Sequence, residues 1–215
     1  MEELRVGGVE VSATLHGAGK TLVVLGHGAG GNRRNPMLVA LAEALGASGR
    51  AALLYNFPYA ERGLKRPDPP ALLERTTQAA ADLGLARSGA RHLVHGGRSM
   101  GGRIASQVVA RGACASGLCL LGYPLHPPGR PDQLRDRHLA LVSVPMLFVQ
   151  GTRDAFARED LLDGVIGRLG EKATLHRIEH ADHSFGVLKR SGRTPADVLA
   201  EVRGVLLGWL DRLGL

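Results

Sequence analysis

The pentapeptide Gly97-Arg98-Ser99-Met100-Gly101 carries a serine flanked two residues on either side by glycine. It follows a short apolar run and leads through Gly102 into an amphipathic stretch over residues 103–111. A G-x-S-x-G segment between a strand and a helix predicts a sharp turn with the serine hydroxyl standing clear at the helix N-terminus. There the partial positive charge of the helix favours negative charge developing on a reacting oxygen. A serine hydroxyl becomes a useful nucleophile only when a histidine takes its proton and an acid holds that histidine in the right tautomer.

In this motif's setting the acid and then the histidine follow the serine in chain order. Asp154 lies just past the apolar run at 146–149, in Gln150-Gly151-Thr152-Arg153-Asp154. The segment Glu179-His180-Ala181-Asp182-His183-Ser184-Phe185 falls between the final short apolar run and the final helical pattern. It offers two histidines, His180 and His183. Asp182 is a rival acid, but adjacent side chains point apart, which makes a bond from Asp182 to His183 awkward. A metal bound by His180, His183 and Asp182 would lack the spacing of known zinc helices, and no metal or other cofactor is expected. Of the other histidines, His16 and His92 flank strands, His95 lies inside the strand before Ser99, and His126 follows a strand end in Tyr123-Pro124-Leu125-His126-Pro127-Pro128, where it could reach a pocket.

Two further glycine-rich segments suggest other chemistry. Gly17-Ala18-Gly19-Lys20-Thr21 lacks the first glycine of a phosphate loop, since Thr14 stands there, and it opens a strand rather than a helix. A turn between strands fits it better. Gly26-His27-Gly28-Ala29-Gly30-Gly31 matches G-x-G-x-x-G after a strand, yet the next strand ends in Tyr55-Asn56 with no acid to hold a ribose. A loop whose amides line a site above a strand end is the better reading, with His27 a candidate for contact with substrate.

The elements that must position these groups are visible as alternating patterns. Residues 4–6 and 9–15, around Gly7-Gly8, suggest a hairpin; short apolar runs at 21–25, 51–55, 92–94, 118–121, 146–149 and 174–178 read as buried strands. Helical patterns occupy 37–45, 71–85, 104–111, 159–169 and 196–213, the last opened by Thr194-Pro195. Residues 62–70 read as a loop. Between 122 and 144 there is only a Pro-rich turn and a short helical stretch at 133–139, too little for a lid. The expectation is a single α/β domain over residues 1–215, with a mainly parallel sheet and helices on both faces.

At these residues the sequence resembles the α/β-hydrolase superfamily, within it a group related to dienelactone hydrolase and, more narrowly, the KANSL3/Tex30-type hydrolase domain. The likeness runs through His27–Gly31, Asn56-Phe57-Pro58-Tyr59, Gly96–Gly102, Gly122–Pro127, Gln150–Asp154 and Ala181–Phe185. It implies Ser99 as nucleophile, Asp154 as acid, His183 as base, and the Ala29 and Met100 amides as the oxyanion hole.

Composition limits the alternatives. The 215 residues are 44% hydrophobic and 22% charged, an ordinary globular balance. The net charge of +7 suggests nucleic acid, but the arginines are scattered and aromatics are only 4%, so no nucleic-acid partner is expected. No apolar run is long enough to cross a membrane, two cysteines are too few for a disulfide framework, and the acidic start Met1-Glu2-Glu3 is unlike a signal peptide; these predict a cytoplasmic protein without a membrane partner. Arg62, Lys65, Arg66 and Arg98 could draw anionic substrates or be paired and inert. The expected activity is hydrolysis of an ester, thioester or lactone of a small molecule, the alternative being an interaction domain that keeps the fold without turnover.

Overall fold

Strands whose two faces are both covered read as continuous apolar runs, and the centre of this fold is built from such strands. In the computed structural model, which describes residues 2–6 and 8–215, eight strands form one sheet: β1 (Glu2–Val6), β2 (Val11–His16), β3 (Thr21–Gly26), β4 (Ala51–Tyr55), β5 (His92–Arg98), β6 (Gly117–Leu121), β7 (Met146–Gly151) and β8 (Ala173–Ile178). Their order is β1-β2-β4-β3-β5-β6-β7-β8. The first two pairings, β1 with β2 and β2 with β4, are antiparallel, and the rest are parallel. Gly7, half of the expected hairpin turn, lies outside the described residues.

Alternate side chains feed two cores. Val23 and Leu25 of β3 face α1 (Pro36–Ala47) and α6 (Pro195–Arg212). Leu22 and Val24 face the other side, where α3 (Pro70–Ser88) and α4 (Met100–Ala110) pack. Farther along that side α5 (Glu159–Leu169) covers β6 and β7 through Leu162, Val165 and Leu169. The ends of these helices follow local chemistry. Asn35 accepts the Leu38 amide at the start of α1, and Thr194 and Asp197 form a reciprocal capping box on α6. The C-terminus of α3 is closed by Gly89 at φ +66°.

Two details differ from the sequence reading. The four-residue helix α2 (Pro58–Glu61) was not anticipated, being too short for any periodicity to show. The helical stretch expected at 133–139 is instead a 3-10 turn at Arg137–Leu141, because 131–136 run as turn and coil. Gly17–Thr21 forms the turn between β2 and β3, as its spacing suggested, and a Cβ on Gly19 would stand 1.9 Å from the Gly49 carbonyl oxygen. Among the described residues no helix is long and apolar enough to cross a membrane.

Candidate active site

Between β5 and α4 the chain reverses at Ser99, which adopts φ +51° and ψ −115°, a conformation seldom tolerated outside glycine. Its amide is fixed to the Leu121 carbonyl on β6 at 2.9 Å. The turn is tight enough to exclude side chains at its flanks. A Cβ on Gly97, itself at φ +152°, would lie 2.3 Å from the Gly26 carbonyl oxygen, and one on Gly101 would lie 2.1 Å from the same atom. The end of β3 is thus pressed backbone to backbone against the serine turn.

The structure brings together three of the residues that the sequence singled out. Ser99 Oγ is 2.8 Å from His183 Nε2, and His183 Nδ1 is 2.7 Å from Asp154 Oδ2. An Nδ1–H donated to the carboxylate leaves Nε2 free to accept the serine proton, the tautomer that proton abstraction requires. The Asp154 side chain is fully buried, and its remaining bonds come from Gln150 Nε2 at 2.5 Å and the Phe156 amide at 2.8 Å. Phe156 also stacks on the His183 ring, with centroids 4.1 Å apart. Both ring nitrogens of His183 thus face partners within the chain, Ser99 Oγ and Asp154 Oδ2. Asp182 takes the Ser184 and Gly186 amides instead and shapes the loop. His180 is exposed and makes its contacts through its backbone.

The Gly26–Gly31 loop passes over the serine. Neither the Ala29 amide nor the Met100 amide donates to an acceptor among the described residues. Both residues line a cleft of about 260 Å³ with Ser99, Leu73, Pro124 and Phe156. Larger grooves, of about 430 and 500 Å³, lie elsewhere; one is lined by Lys20, Arg50 and His92, the other by Glu74 and Arg111, and neither includes Ser99, Asp154 or His183.

Three candidates for substrate contact take other parts. His27 is fully buried; its Nδ1 meets the Gly28 carbonyl at 2.8 Å and its Nε2 accepts the Phe57 amide at 3.1 Å. Burial pushes its pKa down to about 4, so the neutral ring serves as a brace between the glycine loop and the segment after β4. His126 is equally committed, to the Pro127 carbonyl and the Arg158 amide, and holds the acid loop from behind. In both, the ring nitrogens are engaged within the chain. Arg98 donates to the His183 carbonyl at 3.3 Å, and burial lowers its pKa against the raising influence of Asp182 and Asp154. Arg62 is paired with Asp68, and Lys65 and Arg66 are exposed.

Gln150, Phe156, Arg103 and Arg135 were not singled out by sequence reasoning. Gln150 alone carried a signal, being a polar residue at the end of an otherwise apolar strand run.

The chain matches the alpha/beta hydrolase domain family over residues 19–211 and belongs to that family. Its fold is shared with solved structures of low sequence identity. A serine hydrolase without lid from Xanthomonas campestris is 19% identical, with TM-score 0.76 over 98% of this chain and 94% of that one. A dienelactone hydrolase from Anabaena variabilis is 22% identical, with TM-score 0.72 over 98% and 95%. An alpha-beta serine hydrolase homologue from Coxiella burnetii is 18% identical, with TM-score 0.75 over 97% and 96%.

Proposed function

We propose that this protein is a serine hydrolase that cleaves an ester, thioester or lactone of a small soluble substrate through an acyl-enzyme. The observation that carries this reading is the continuous relay from Ser99 Oγ through His183 to the buried carboxylate of Asp154, opening into the cleft. In the first half-reaction Ser99 Oγ bonds to the substrate carbonyl carbon as its proton passes to His183 Nε2. The resulting oxyanion lies within reach of the Ala29 and Met100 amides, a type of donor worth about 3 kcal/mol each. Collapse expels the alcohol, thiol or ring oxygen, which takes the proton from His183. Water then repeats the sequence in reverse roles: His183 accepts its proton, the hydroxide adds to the acyl carbon, and Ser99 leaves with the proton returned.

The names of the structural relatives, a dienelactone hydrolase and a serine hydrolase without lid among them, support the reading as analogy. The connection from β6 to β7, residues 122–145, holds only the 3-10 turn at Arg137–Leu141 and no helix that could form a lid, which favours small, water-soluble acyl groups. Labelling with a fluorophosphonate tests the nucleophile directly. The wild type should label and the Ser99→Ala variant should not, while hydrolysis of 4-nitrophenyl acetate falls ~10⁴-fold or more in kcat. A folded wild-type protein that neither labels nor hydrolyses any short ester would instead support the interaction-domain alternative.

A further inference from the structure

Two arginines line the same cleft as Ser99 without a carboxylate of their own. Arg103 lies one turn into α4, its amide bonded to the Ser99 carbonyl at 3.0 Å, so its side chain leaves the helix on the serine's side. Arg135 comes from the segment after β6. It is pinned there by its amide on Leu125, at 2.8 Å, and by the Tyr123 hydroxyl donating to its carbonyl, at 2.6 Å. Both guanidiniums are only partly exposed, and neither makes an ion pair with a described residue. Arg135 spends one donor on the Pro124 carbonyl at 3.4 Å.

The acids near them are already engaged. Asp68, in the cleft wall, takes the Arg62 guanidinium and the Tyr59 amide, and Asp136 takes Arg168. The two arginines also sense each other: burial lowers the Arg135 pKa, and the Arg103 charge lowers it further. Arg103 acts in the same direction on His138, where burial is again the larger cause. Two other partly buried arginines do have an acid: Arg50 has Asp211 and Arg193 has Glu201. Keeping two like charges together at partial burial costs stability, and two cations beside a single acid that is already engaged favour a ligand of opposite charge.

We propose that Arg103 and Arg135 form an anion subsite beside Ser99, so that the acyl substrate carries a carboxylate or phosphate group away from the scissile bond. The proposal rests on the hydrolase reading for its reaction, but the subsite itself is a matter of binding. An anion there completes what the fold leaves open, because the fork of a guanidinium matches the paired oxygens of a carboxylate or phosphate.

The test compares kcat/KM within two substrate pairs that differ by one charge. In the first the charge is on the acyl side, the 4-nitrophenyl hemiester of adipic acid against its methyl-capped diester. In the second it is on the leaving group, 4-acetoxybenzoate against its methyl ester. The wild type should prefer the anion in at least one pair by ~10-fold, a preference that 0.5 M NaCl weakens. It should fall to within ~2-fold in the double variant Arg103→Met, Arg135→Met, and survive in part in the double lysine variant, whose melting temperature also checks that the fold is intact. A preference absent from both wild-type pairs, or undiminished by the methionines, overturns the subsite. Calorimetry on Ser99→Ala with monomethyl adipate, butyl phosphate and neutral pentanamide separates the two anions and is independent of turnover. Anion binding that is lost with the arginines, in a protein that hydrolyses no ester, would retain the subsite and refute the hydrolase. Absence of anion binding, with neutral esters still hydrolysed, would do the opposite.

Discussion

Gln150 and His183 both donate to the same carboxylate oxygen of Asp154, at 2.5 and 2.7 Å. The acid is thus oriented from its own strand before the histidine loop arrives, and its second oxygen is held by the Phe156 amide. Removing the charge on Asp154 should leave this scaffold standing while reversing the preferred imidazole tautomer. Asp154→Asn is expected to lower kcat about 10⁴-fold. Asp182→Asn, whose side chain accepts the Ser184 and Gly186 amides rather than a bond from His183, should cost less than ~10-fold. Parallel steady-state kinetics on the two variants decide the matter, and the opposite ranking would reassign the acid.

The oxygen of Gly26 leaves no room for a methyl group at either glycine of the serine turn. Gly101→Ala would place its Cβ 2.1 Å from that atom, backbone against backbone, where no rotamer change relieves the clash. A loss of about 3 kcal/mol or more is expected, or failure to fold. Gly204→Ala, with open space around it on α6, serves as the control and should be neutral or slightly stabilising. Urea unfolding of the two variants measures the contrast.

Two buried histidines make the fold sensitive to mild acid. Burial lowers both His27 and His95 from 6.5 to about 4. In the window between those values the unfolded chain binds protons that the folded chain refuses, so stability is full above pH 6.5 and falls as pH drops towards 4. Each tenfold loss of proton affinity on folding is worth about 1.4 kcal/mol, so each histidine costs about 3 kcal/mol by the lower end of the window. Replacing His95 with leucine should flatten roughly half of this slope. Denaturant midpoints at pH 7.5 and 4.5 for the wild type and His95→Leu check it; equal slopes in the two proteins would rule it out.

The brace made by His27 gives a separate expectation for catalysis. His27→Gln can reproduce at most part of the link between Gly28 and the Phe57 amide, and the glycine loop should lose its set position over Ser99. We expect kcat to fall ~10- to 100-fold on all esters alike, with little change in KM, since a misplaced oxyanion donor is felt chiefly in the transition state. A change confined to KM would mean that His27 acts on ground-state binding instead.

What was legible in the sequence was local or periodic. The parallel strands showed as apolar runs because both faces are covered, and Ser99 showed because its turn forbids side chains at Gly97 and Gly101. Asp154 and His183 were legible through their places after β7 and β8, which a parallel sheet brings to one edge. The supporting parts were not, because they depend on which side chains meet across the fold. His27 and His126 carry the residue type of a reactive group, and only their burial and their filled ring nitrogens show them to be braces. Arg103 and Arg135, 32 positions apart in the chain, share a cleft through tertiary packing alone. Nothing in a chain with 27 basic residues marks those two from the rest.

The contact of Gly26 with Gly97 and Gly101 sets a division of labour for any change in specificity. Because the loop over the serine and the turn beneath it meet through main-chain atoms, their separation is fixed by van der Waals radii and offers no side chain to exchange. The distance from the end of β3 to the serine turn is therefore a constant of the scaffold, while the loop beyond it depends on the His27 brace. Variation in what the cleft accepts must come from side chains elsewhere in its lining, at Pro67, Pro70, Leu73, Arg103, Pro124 and Arg135. An engineer seeking a new acyl group would randomise those six positions and leave the glycines untouched.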